Sequence, residues 1–141
     1  MHAGVAMQVE MGFTLLIDER RQVLLARCGR SFTREGMDTL VVATQAFAAK
    51  YGHWAGIVDF SQVEEIGVDI AYLRSLGQKP RVMRGARRVL VAPQTELFGM
   101  LRLYGLHQAS LNEETMVVWS LQEAYDQLGL KDPDFRPLVQ D

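Results

Sequence analysis

The chain contains a single cysteine, Cys28. One thiol excludes an internal disulfide framework and suits a reducing compartment, so the expected location is the cytoplasm. Cys28 closes the apolar run that starts at Val23, which marks it as a core residue rather than a reactive one. No stretch approaches the roughly 18–20 apolar residues of a membrane span, so insertion into a bilayer is not expected. The segment from Met1 to Glu10 lacks both a basic flank and a long apolar region, and does not read as a signal peptide. Met7 and Met11 are alternative starts, and residues 1–10 are read as a loose lead-in. An excess of charge of one sign is missing as well. The 15 Lys and Arg against 17 Asp and Glu leave a net charge of −2, which gives no bulk attraction to nucleic acid or to anionic lipid.

Signatures of catalysis are scarce too. The histidines His2, His53 and His107 have no second ligand at a spacing such as His-x-x-x-His, so no metal site is expected. There is no Gly-x-x-x-x-Gly-Lys-Ser/Thr phosphate loop, no Gly-x-Gly-x-x-Gly turn and no Gly-x-Ser-x-Gly elbow. The adjacent carboxylates Glu64 and Glu65 point apart and make a poor acid–base pair; they read as a solvated loop. The expectation is a protein that is not an enzyme and carries no cofactor.

What is present is a regular alternation of elements. The 141 residues suffice for one domain with a core. Residues 12–19 and 22–29 read as two strands joined by the charged turn Asp18 to Arg21. Thr33 is placed to cap a helix in which Met37, Leu40, Val41, Thr44, Phe47, Ala48 and Tyr51 recur at three-and-four spacing, closed by Gly52. A strand over 55–60, a helix over 69–78 stopped before Pro80, and a strand over 88–92 ended by Pro93 follow. Next come a helix over 94–107, a short strand over 116–119, and a last helix opened by the capping box Ser120 to Glu123 and closed by Gly129. The segment 131–141, with Pro133 and Pro137, reads as an irregular tail. Strands that alternate with helices predict parallel pairing with helical crossovers, and the opening hairpin makes the sheet mixed.

The stretch from Ile57 to Asp69 carries a resemblance. A strand ends in Asp59-Phe60-Ser61, a turn with Val63 and Ile66 follows, and Asp69 precedes the second helix. This resembles the central motif of STAS domains, the family of bacterial anti-sigma-factor antagonists, in which Asp-Leu-Ser is followed by Asp-Ser-Ser/Thr-Gly at a helix start. In that family the Ser or Thr is phosphorylated to switch partner binding. Here Gly67-Val68-Asp69-Ile70 stands in its place, so the hydroxyl of the switch is absent. The element order over 12–130, with Val91-Ala92-Pro93 and the run from Phe98 to Tyr104, is similar to the SpoIIAA-like proteins, a divergent STAS group also placed with SEC14-like lipid-binding folds. The resemblance implies an α/β STAS-like domain over 11–130, with a mixed sheet of about five strands, an N-terminal β-hairpin and four helices. It also implies a non-enzymatic regulatory or protein–protein interaction module. Asp59, Ser61, Gly67, Val68 and Asp69 would form the partner-binding or switch region. Asp69 is either a helix cap or a permanent negative charge at the former phosphorylation site.

Three further features carry alternatives. Lys79, Arg81, Arg84, Arg87 and Arg88 form the strongest charge cluster, either a solvated turn or a site for a phosphate, a headgroup or an acidic partner. No aromatics interleave with them, which argues against single-stranded nucleic acid. Val42, Ala46 and Ala49 make a second small-residue stripe on the first helix, either packed internally or facing a partner, the simplest being a second copy in a homodimer. Trp54 and Trp119 read as core or rim. The competing function is a carrier or sensor of an apolar small molecule or lipid, with the arginines at the mouth of a pocket. An enclosed apolar cavity of roughly 300 Å³ or more favours the carrier. A solid core with a flat apolar patch on the first helix favours a protein partner.

Overall fold

The computed structural model describes residues 12–138 in full and the backbone of residues 5–6, 8–9, 139 and 140. The strands are β1 (Val5–Ala6), β2 (Gln8–Val9), β3 (Phe13–Asp18), β4 (Val23–Cys28), β5 (Ser31–Thr33), β6 (Ala55–Asp59), β7 (Glu65–Gly67), β8 (Arg88–Val91), β9 (Thr115–Val118), β10 (Arg136–Pro137) and β11 (Val139–Gln140). The helices are α1 (Arg34–Tyr51), α2 (Ile70–Gly77), α3 (Thr95–Ala109) and α4 (Leu121–Leu128). The main sheet runs β10-β3-β4-β6-β8-β9, with β2 also paired to β3. β3 and β4 are antiparallel, and β4, β6, β8 and β9 are parallel neighbours. The mixed α/β architecture with an opening hairpin and four helices is the one expected from the sequence.

Each of the three parallel steps adds its strand on the same side of the last one. A right-handed crossover then sends α1, α2 and α3 to one face of the sheet. Side chains alternate across the strands accordingly. Leu24, Ala26, Cys28 and Leu90 point to the face covered by Leu40 and Phe47 of α1, Leu73 of α2, and Leu97 and Leu101 of α3. Val23, Leu25, Ile57, Val89 and Val91 point to the other face, where Ala124 of α4 is buried. Cys28 is fully buried in the first of these cores, and its thiol is pushed up to about 12 by burial and then by the Asp59 charge. It is a packing residue.

The helix ends follow the capping chemistry of the sequence. Thr33 Oγ1 accepts from Gly36 N at 3.0 Å, and Asp69 Oδ1 accepts from Tyr72 N at 2.8 Å. Ser120 Oγ accepts from Glu123 N at 3.1 Å. The reciprocal bond of the box is displaced by one residue: Glu123 Oε2 accepts from Trp119 N, not from Ser120 N. Gly129 closes α4 in the left-handed region, at φ 67°.

Three parts of the chain differ from the sequence expectation, the first being the lead-in, read as loose, where β1 pairs with β11 and β2 with β3. The turn between β6 and α2 contains β7, which pairs in parallel with β5 as a separate two-stranded ribbon. The tail, expected to be irregular, places β10 against β3 and β11 against β1. All three differences have the same cause: strands of two or three residues carry no periodicity to read. Of the lead-in, residues 1–4, 7 and 10 lie outside the described residues.

Asp18 explains why the tail is held. It is 2% exposed. Its carboxylate accepts from Arg21 N, from Arg21 Nη1 and from Asp134 N, each at 3.0 Å. Burial works to raise its pKa, but the backbone donors Arg21 and Asp134, with the Arg21 guanidinium, outweigh burial and hold it below the usual carboxylate range. A depressed folded-state pKa stabilises the fold above the unfolded value of about 4 and loses that contribution as pH falls through the folded value. Asp18→Asn should therefore cost roughly 1.5–3 kcal/mol at neutral pH. Urea unfolding at pH 7 and at pH 3 should show the wild type losing more stability on acidification than the variant does.

Candidate functional site

The switch-like stretch is mostly committed to its own fold. Asp59 is buried, with Oδ1 accepting from both Ser61 N and Ser61 Oγ and Oδ2 lying 3.6 Å from Arg27 Nε. It builds the turn that ends β6. Gly67 is required by the β5–β7 ribbon, because a Cβ there would meet Phe32 O at 2.9 Å. Val68 is buried in the core. Ser61, Gly67 and Asp69 are exposed; of the two with polar side chains, Ser61 donates to Asp59 and Asp69 caps α2. No Ser or Thr lies between Ser61 and Ile70, so the segment presents no other hydroxyl.

The basic cluster separates into different roles. Arg81 is only 6% exposed. Its Nε donates to Glu113 Oε2 at 3.0 Å, its Nη1 to Thr115 Oγ1 at 3.1 Å, and its Nη2 to Ala86 O. Glu113 also accepts from Gly85 N at 3.1 Å. Arg81 thus ties the loop between α2 and β8 to the start of β9 and is not available to a solvent anion. Burial and then repulsion from Arg88 lower its pKa, and Glu113 opposes them. Arg87 reaches Glu114 only at 4.0 Å. Lys79 and Arg84 are exposed, and neither forms an ion pair among the described residues. Arg88, at the start of β8, is half-buried and donates from Nη1 to Tyr104 Oη at 2.8 Å.

These residues surround a cavity. A space of about 150 Å³ lies between α1, the helical face of the sheet and the loop over 79–87. Leu24 and Val58 form its floor, Met37 and Leu40 its α1 wall, and Met83 part of its loop wall. Gly56 leaves a gap in the floor: a Cβ there would meet nothing nearer than Leu24 O at 3.8 Å. Lys79, Arg81, Arg87 and Arg88 are the four charged residues of the lining, and no carboxylate is among them. A smaller space of about 20 Å³ adjoins it, sharing Met37, Val58, Leu76, Arg88 and Tyr104. An open groove of about 690 Å³ beside the hairpin turn and tail is larger, but its charges, Asp18 with Arg21 and Asp134 with Arg136, neutralise one another. The cavity under α1 is the candidate site.

The remaining sequence candidates lie elsewhere. Val42 is 65% exposed, and Ala46 and Ala49 are exposed on the same outer face of α1. Trp54 is buried against Phe47, with Nε1 donating to Tyr51 O at 3.1 Å. Trp119 is on the rim, stacked on Phe98 at 3.7 Å. Among the described residues, no three His, Cys, Asp or Glu side chains gather as metal ligands. No helix among them is long and apolar enough to cross a membrane. Gly56 and Tyr104 escaped assignment from sequence as site residues. A glycine inside a strand is the signal that marks the first, since it often shows where something approaches the backbone closely.

The architecture defines the chain as a SpoIIAA-like α/β fold. A solved structure similar to it is that of a DUF3478-family protein with a SpoIIAA-like fold from Shewanella loihica PV-4, matched with a TM-score of 0.57 at 13% identity over 91% of this chain and 98% of that one. Neither the scan against family models nor the search of curated proteins found a match.

The two neighbouring roles in the basic cluster separate by mutation. Arg81→Ala leaves Glu113 without its buried partner and should cost about 3–5 kcal/mol. Arg84→Ala, at an exposed position, should change stability by less than about 0.5 kcal/mol. Guanidinium unfolding of both variants beside the wild type checks this.

Proposed function

We propose that the protein is a non-enzymatic STAS-like binding module, and that its ligand is a small apolar molecule held under α1. It acts as a carrier or sensor rather than as a phosphorylation switch. The observation that carries the reading is the cavity of about 150 Å³ with apolar walls and a glycine in its floor. At about 150 Å³ it falls short of the roughly 300 Å³ expected for a carrier of larger ligands, and this limits the occupant. Pockets for drug-sized ligands span about 300–1,000 Å³, whereas an apolar hole of roughly 150 Å³ accepts a benzene-sized body. A long acyl chain is too large. The absence of a hydroxyl from Gly67 to Ile70 supports the module's working without phosphorylation there. The buried thiol of Cys28 is compatible with the reducing cytoplasm expected for it.

A second reading concerns a protein partner, and the exposed stripe Val42, Ala46 and Ala49 favours it. Small side chains let a second helix approach closely, and the simplest arrangement is a two-fold homodimer.

Gly56→Val tests the first reading by filling the floor. Titration with toluene, followed by NMR, should shift resonances of Leu24, Met37 and Val58 in the wild type and leave them unmoved in a folded Gly56→Val variant. Shifts scattered over the surface, equal in both proteins, would refute the cavity as the site. For the second reading, Ala46→Glu should move a dimer toward monomer in sedimentation at micromolar concentrations. A wild type that is monomeric throughout removes the dimer.

A further inference from the structure

We infer that the molecule bound under α1 is a small organic carboxylate, its apolar body in the cavity and its carboxylate on Arg88 and Tyr104; this rests on the cavity's being the binding site. The lining holds four cations and no acid. Arg81 is neutralised by Glu113 at 3.0 Å, and Arg87 is drawn outward toward Glu114 at 4.0 Å. Lys79 is exposed to solvent. That leaves Arg88 as the inner charge without an acidic partner among the described residues.

An arginine cannot shed its proton to escape burial. A guanidinium taken partly out of water and left without an acid is costly unless something supplies the acceptor. Among the described residues Arg88 has one acceptor, the Tyr104 hydroxyl at 2.8 Å. Five N–H donors and one bond leave most of the guanidinium fork unused. Tyr104 Oη accepts from Arg88, so its own proton remains to be donated. Tyr104 and Arg88 both line the main cavity and the adjoining 20 Å³ space, so these donors sit where the two meet. A planar carboxylate matches the fork in two-pronged fashion. One unneutralised guanidinium suits one negative charge, which favours a carboxylate over a phosphate dianion. The apolar walls exclude a ligand that is polar throughout, and the volume excludes a lipid.

Benzoate and its neutral isostere benzamide separate the charge from the shape. Both are titrated into the whole protein and followed by NMR at cavity residues. Benzoate should bind roughly ten- to hundredfold more tightly than benzamide, the range expected when a charged hydrogen bond is gained. Arg88→Met should abolish that preference while keeping the weak binding of benzamide. Tyr104→Phe should reduce it by a smaller factor. Benzoate should raise the wild-type Tm and leave that of Arg88→Met unchanged, a readout that a purely structural Arg88 would not move. Equal binding of the two probes at the cavity in the wild type would overturn the carboxylate assignment and leave the apolar site standing. That comparison does not depend on any variant's folding. Binding of neither probe at cavity residues would sink both. Benzoate binding that survives Arg88→Met but is lost in Arg84→Ala would assign it to the surface and overturn the inference.

Discussion

Three right-handed crossovers in succession are the constraint from which the rest of the molecule follows. Each step from β4 to β6, β8 and β9 advances the sheet in one direction, so α1, α2 and α3 share one face. The opposite face has α4 over it. Three helices of unequal length over a few parallel strands do not tile without gaps. α1 seals its part of the core through Leu40 and Phe47, while the floor beneath its side is lowered at Gly56. The loop that returns from α2 to β8 must then bridge the difference. The cavity is the space left between a long helix, a floor without a side chain and that loop.

The loop is held by electrostatics rather than by secondary structure. Arg81 and Arg88 stand at either end of it, and burial treats them in opposite ways. Arg81 brings together Glu113, Thr115 and the carbonyl of Ala86, and Glu113 in turn gathers Gly85 N. A buried ion pair so well supplied with hydrogen bonds fixes geometry more than it adds net stability. It sets the loop at a defined height above the sheet. Arg88, seven residues on, lines the cavity, and among the described residues its one hydrogen-bond partner is the Tyr104 phenol. The structural arginine therefore fixes the wall of the space, and the unsatisfied one gives that space its sign.

How much of this was legible beforehand depended on the length of each signal. The 18 residues of α1, with Leu40 and Phe47 two turns apart on one face, announce themselves, as do the caps Thr33, Asp69 and Ser120. The hairpin was readable because β3 alternates over six residues and β4 opens on a continuous apolar run, with a charged turn between them. β5 and β7 were not readable, since three residues fit any pattern. Nor was the division of the basic cluster: Arg81 and Arg84 look alike in sequence, and the partner that distinguishes them, Glu113, is 32 residues away. The resemblance over Asp59 to Asp69 pointed to the right fold, while tertiary packing decided that Gly67 and Val68 serve the β5–β7 ribbon and the core.

The small strand β10 has a meaning for the protein's behaviour in crowded solution. With β2 it lies outside β3 at one margin of the main sheet, pairing Arg136 with Ile17 and Pro137 with Leu16. An open margin of hydrogen-bonding groups invites another chain to add itself, and the process can repeat without limit. Proline has no amide hydrogen to offer to such a newcomer, and an adjacent arginine adds charge against close stacking. Arg136 and Pro137 thus disfavour the addition of a further chain along this edge of the hairpin.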